Sequence, residues 1–140
     1  MPEPLTLYPA ALLAHARTPR NTSPLLAPTH TAQVDNPLCG DRVRLVLSLS
    51  DARIVELSHQ TRGCALCIAS ASVMTERLAG VSPAEAAEAR AAFLHALEVS
   101  PTPLAREVLG MFAGISAAPA RVGCVALPWQ ALAVALGGLA

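Results

Sequence analysis

The chain has no lysine. Its ten basic residues are all arginine and are balanced by ten acidic ones, so the formal net charge is zero. Nucleic-acid binding needs a basic stripe or patch, and none is present, so that class has no electrostatic support. Aromatic residues make up only 3% of the chain, which leaves almost nothing to stack on a base. No positively charged start leads into an apolar run, which argues against a secretory signal. The apolar tail Ala131–Ala140 is too short to span a bilayer. These absences predict a cytoplasmic protein with neither a nucleic-acid nor a membrane partner. In that setting four cysteines point to metal binding or thiol chemistry rather than to disulfides. What the chain does have is apolar bulk. It is 53% hydrophobic, mostly alanine and leucine, which favours helices. At 140 residues it is read as one domain, 1–140, large enough for a core.

The pattern along the chain predicts an α+β arrangement: a small antiparallel sheet of about three strands with helices packed on one face. Leu5–Arg17 reads as a helix ended by Pro19, and Thr18–Pro28 as a loop rich in Pro, Ser, Thr and Asn. Thr29–Val34, Val43–Leu49 and Arg53–Gln60 read as strands, the last two joined by a turn at Ser50-Asp51-Ala52. From Ala65 to Leu78 small and apolar residues predict a well-buried helix. Ser82-Pro83-Ala84-Glu85 is a capping box with proline at the first helical position, opening a helix to about Glu98. Leu104–Phe112 reads as a short helix after Pro101 and Pro103, Ala117–Pro119 as a linker, and Pro128–Leu136 as a final helix. No internal repeat is visible.

The chemistry-bearing residues fall in three separated blocks: Asn36-Pro37-Leu38-Cys39-Gly40-Asp41, Gly63-Cys64, and Arg121-Val122-Gly123-Cys124. Cys39 and Asp41 flank a glycine, so a thiolate and a carboxylate can turn toward one point from a single tight loop. Three sulfurs and one oxygen suit Zn²⁺ or an iron–sulfur cluster. No compact pair of C-x-x-C motifs exists, and each cysteine taken alone also reads as a small buried hydrophobe. Cys39-Gly40-Asp41 and Cys64-Ala65-Leu66-Cys67 loosely imitate a zinc deaminase. That class, however, needs Glu where Asp41 stands and Pro where Gly63 stands. A metal-free interaction module is the remaining alternative.

The words around these cysteines resemble the U-type iron–sulfur assembly proteins, the SufU and IscU family. Asn36-Pro37-Leu38-Cys39-Gly40-Asp41 followed by Arg42-Val43-Arg44-Leu45 is similar to the family's first ligand loop and the strand after it, and Gly63 through Glu76 to its second. Pro119 through Leu132 is similar to its third, and Leu7-Tyr8, His15 and Pro19-Arg20-Asn21 also match. The resemblance implies the α+β fold above and four metal ligands: Cys39, Asp41, Cys64 and Cys124. Such a shell carries excess negative charge, which Arg121 and Arg62 stand near enough in sequence to offset. The scaffold branch has His before the last cysteine where this chain has Gly123, and the segment between the second and third blocks is long. Both features resemble the SufU branch. That branch implies a zinc-bound sulfur acceptor, in effect a zinc-dependent sulfurtransferase, working with a pyridoxal-phosphate cysteine desulfurase of the SufS type and with downstream iron–sulfur assembly proteins. The alternative is a scaffold that assembles a [2Fe–2S] cluster on the same ligands and passes it to apo-proteins. Cys39, on its glycine-containing loop, is the expected persulfide acceptor.

Cys67, one helical turn after Cys64, reads either as a core residue or as a supporting thiol that relays sulfur, pairs with Cys64 or replaces a ligand. His15, His30, His59 and His95 neighbour no ligand block and read as non-ligands. Trp129 and Met74 read as core, and Arg20 and Asn21 as a partner-facing loop.

Overall fold

A computed structural model describes residues 10–37, 40–98 and 119–137. In chain order the elements are α1 (Ala10–Arg17), β1 (His30–Asp35), β2 (Arg42–Ser50), β3 (Arg53–Arg62), α2 (Ala65–Leu78), α3 (Pro83–Glu98) and α4 (Pro119–Leu136). The sheet is antiparallel with order β1-β2-β3. It carries Val43, Leu45 and Leu47 inward, while Arg42 and Arg44 alternate outward. All the helices that touch it pack on the inward face, so the expected α+β class holds.

The β2–β3 connection is a two-residue hairpin. Asp51 and Ala52 both have positive φ, 53° and 62°, and Ser50 pairs with Arg53. That backbone twist matches the twist of the strands it joins. Farther along, the register slips between Ser48 and Leu49, which leaves Val55 as an extra residue on β3. This bulge keeps both Ile54 and Leu57 on the core face although they are three apart, and it explains why the strand's alternation reads imperfectly.

Helix α2 is the hub. Ten of its residues are buried, Ser70, Ser72 and Thr75 among them, and it packs on α1, α4 and β3. Each buried hydroxyl has partners, as burial requires. The Ser70 hydroxyl donates to the Val125 carbonyl at 2.6 Å and accepts from the Trp129 indole at 3.2 Å. The Ser72 hydroxyl accepts the Arg20 N–H at 2.8 Å and meets His15 Nδ1 at 2.7 Å. Thr75 accepts from the Asn21 side chain at 3.1 Å. The Arg20–Asn21 segment is therefore tied down on the chain's own helix, and Asn21 takes the left-handed φ of 58° that asparagine tolerates.

The capping box forms as expected. The Glu85 N–H donates to the Ser82 hydroxyl and the Ser82 N–H to the Glu85 carboxylate, both at 3.1 Å. One expectation is corrected. The last helix begins at Pro119, not near Pro128, and runs through Pro128 to Leu136. Proline suits the first helical position at 119, and packing overrides its cost at 128. Buried residues from Cys124 to Trp129 press this stretch onto α2 and the sheet. The Trp129 ring stacks on Phe93 with centroids 4.5 Å apart, and its carbonyl accepts from Arg90 at 3.0 Å, which ties α3 to α4. The helix expected over 104–112 lies outside the described residues. Among the described residues no helix is long and apolar enough to cross a membrane.

Candidate metal centre

Three elements bring three donors to one end of the sheet. Asp41 lies at the foot of the β1–β2 loop. The loop closes on itself: the Asn36 N–H donates to the Asp41 carbonyl and the Gly40 N–H to the Asn36 carbonyl, both at 2.8 Å. Gly40 takes a φ of 77°, a left-handed backbone that only glycine adopts without strain. At the base, Arg42 pairs with Asp35 at 2.6 Å, both about half exposed, so this pair adds little stability.

Cys64 sits between β3 and α2. It is the N-cap of α2, and its carbonyl accepts the first helical bond from Ile68 at 3.1 Å. Its thiol makes no capping bond. It lies instead 3.8 Å from the Asp41 carboxylate. Cys124 comes from the second turn of α4 and is buried, as is Asp41.

The donor atoms of Asp41, Cys64 and Cys124 all lie within 4.8 Å of one another. A tetrahedral zinc with Zn–S bonds of about 2.3 Å places neighbouring ligand atoms roughly 3.7 Å apart, so these side chains are close to that geometry. Two sulfurs and a carboxylate also have the donor chemistry that zinc prefers. A nearly buried carboxylate beside two thiols gains little in a metal-free core, whereas a cation there would satisfy it. The residues present fit a metal ion.

Of the expected ligands, the structure brings together Asp41, Cys64 and Cys124. Cys39 lies outside the described residues, between Pro37 and Gly40. Cys67 is fully buried in the core and is not one of the clustered donors. Arg62 ends β3 on the solvent face, directly opposite Arg42. Arg121 lies in the first turn of α4, three residues before Cys124.

The histidines take other roles. His15 meets Ser72 and lies 4.0 Å from Glu76. His59 is buried, donates from Nε2 to the Arg20 carbonyl at 3.0 Å and bonds the Thr61 hydroxyl at 2.8 Å through Nδ1. Burial lowers the pKa of both, against the pull of Glu76 on His15 and of the Arg20 carbonyl on His59.

Two contacts at the site escaped the sequence reading. A Cβ on Gly123 would stand 3.4 Å from the Asn36 side chain, and a Cβ on Gly63 would stand 2.5 Å from a carboxylate oxygen of Asp41. The one available signal was a glycine at a strand end, which often marks close backbone approach.

Comparison with known proteins agrees with this fold. The family model for the NifU-like N-terminal domain matches residues 7–136. The chain is 30% identical to the zinc-dependent sulfurtransferase SufU of Bacillus subtilis, over 91% of this chain and 87% of that protein. It is 29% identical to the iron–sulfur cluster assembly scaffold protein IscU of Streptococcus pyogenes, over 93% of this chain and 82% of that one. A solved structure described as a candidate SUF-system scaffold protein, from Fervidobacterium islandicum, shares the fold with a TM-score of 0.84. It covers 96% of this chain and 99% of that one at 23% identity. The family match runs through all three blocks that supply Asp41, Cys64 and Cys124, and the chain therefore belongs to the NifU-like N-terminal domain family.

Proposed function

We propose that this protein serves iron–sulfur cluster assembly as a zinc-bound sulfur acceptor for a pyridoxal-phosphate cysteine desulfurase of the SufS type. The observation that carries the reading is the convergence of Asp41, Cys64 and Cys124, with donor atoms within 4.8 Å of one another. Three donors that are all mutual neighbours suit a single ion, whereas a two-iron cluster separates the ligands of its two irons. Likeness to a relative named as a zinc-dependent sulfurtransferase supports the same choice.

Asp41, Cys64 and Cys124 would hold the zinc, with Cys39 as the fourth ligand. Bound zinc supplies the positive charge that keeps the thiols deprotonated at neutral pH. Cys39 is the acceptor, on the loop that Gly40 closes. Its thiolate attacks the outer sulfur of the persulfide on the desulfurase. The sulfur–sulfur bond of that persulfide breaks, the desulfurase cysteine leaves as a thiolate, and this chain carries the new persulfide. Arg121, three residues before Cys124, and Arg62, two before Cys64, would offset the negative charge of such a shell.

Incubation with a SufS-type desulfurase and L-cysteine, followed by intact mass measurement, tests this. The parent chain should gain one sulfur and the Cys39→Ser variant none. Uptake of one sulfur by the variant overturns Cys39 as acceptor.

The scaffold reading, a [2Fe–2S] cluster held by the same residues, is favoured by likeness to a relative named IscU. It predicts visible charge-transfer bands in protein purified without oxygen.

A further inference from the structure

We infer that Gly63 is a positioning residue that sets where the Asp41 carboxylate lies. Arg42 and Arg62 are the last paired residues of β2 and β3, so the next step of the register sets Asp41 opposite Gly63. Side chains directly opposite on paired strands normally meet about 5 Å apart, Cβ to Cβ. With no Cβ on Gly63, the Asp41 side chain folds into that space. A Cβ there would stand 2.5 Å from Oδ1 and 2.6 Å from Cγ of Asp41, distances that demand displacement, and 3.0 Å from its Cβ, which is tight. The backbone of Gly63 is not the reason for glycine, since its φ is not among the positive values. The requirement is steric, and it acts through one neighbour.

That neighbour has little freedom. The Asp41 carbonyl is held by the Asn36 N–H at 2.8 Å, and its side chain is buried. An added methyl at position 63 must therefore swing the carboxylate, and the swing is away from Gly63 and its chain neighbour Cys64. Gly63 thus fixes the distance between the oxygen donor and the sulfur donor that follows it in the chain. The consequence for metal rests on the reading above. The steric coupling between 63 and 41 does not.

A double-mutant cycle on Gly63→Ala and Asp41→Ala tests this with Co²⁺ as the probe, whose visible absorption reports ligand number and geometry. Gly63→Ala should weaken Co²⁺ binding on the order of 10- to 100-fold, as loss of an orienting contact does, and alter the visible bands. In the Asp41→Ala background the same substitution should have a much smaller effect on both, because the carboxylate it displaces is gone and only the Cβ of residue 41, 3.0 Å away, has to give by a few tenths of an ångström. Equal weakening in both backgrounds, or unchanged binding by Gly63→Ala alone, overturns the inference. Thermal melting of the four metal-free proteins gives an independent readout. Gly63→Ala should lower the midpoint or prevent folding, and Asp41→Ala should rescue it. Absence of rescue overturns the coupling even if the parent binds no Co²⁺, and that last result would count against the metal reading alone.

Discussion

His59 shows how single residues here answer to burial rather than to the site. Its Nε2 must carry the proton, because the Arg20 carbonyl it bonds can only accept. A second proton would place a charge among buried atoms, so the folded chain protonates it below the ordinary value near 6.5, and His15 shifts the same way. The unfolded chain takes up these protons first as pH falls. The stability they contribute is therefore complete above about pH 6.5 and is lost as pH falls toward the lowered folded values. Metal-free protein should melt at a lower temperature at about pH 5.5 than at about pH 7.5. His59→Gln, which preserves a donor and an acceptor, should reduce that difference, and an undiminished difference would contradict the assignment. At this scale Asp41, Cys64 and Cys124 were legible because their chemistry is rare and their neighbouring words are distinctive. Gly63 and Ser70 were not, since the role of each is set by a residue far away in sequence. Ser70 joins Val125 and Trp129 within the core. Ser70→Ala should cost about 1–3 kcal/mol in denaturant unfolding, because it strands a buried indole N–H.

Among the elements, α2, α3 and the hairpin were readable because each announces itself locally, by an unbroken small-apolar run, a capping box and a turn between β-branched strands. Helix α4 was not. Pro119 and Pro128 satisfy the same helix-start rule, and only packing against α2 and the sheet shows that the helix starts at the first and continues through the second. That difference matters for chemistry, since it places Cys124 within a helix rather than in the loop before one. The β2–β3 turn holds a correctable local cost. Ala52 has a φ of 62°, where a Cβ is disfavoured by roughly 1 kcal/mol. Ala52→Gly should therefore raise unfolding free energy by about 0.5–1 kcal/mol in urea titration. A neutral or destabilising result would mean that the turn is not held in this conformation. At the start of α3, Ser82→Ala should cost about 1 kcal/mol by removing one arm of the reciprocal cap.

For the molecule as a whole, the sheet end, the start of α2 and the second turn of α4 meet at the donors, so the site closes only when the fold closes. Binding at such a point is coupled to folding. Stripping metal with a chelator should lower the melting temperature of the parent chain and leave that of Cys124→Ser little changed. The layer architecture was legible from the order of strands and helices, whereas the meeting of three distant blocks came from the resemblance, because no short-range spacing encodes it. The central claim is that these blocks hold a metal ion. It is tested most directly by the zinc, iron and acid-labile sulfide content of protein purified without oxygen. About one tightly bound zinc per chain, with no stoichiometric iron and with zinc lost in Cys124→Ser, is the predicted result. Iron with equivalent sulfide would contradict the zinc-bound acceptor in favour of the scaffold, and neither metal would contradict the centre itself.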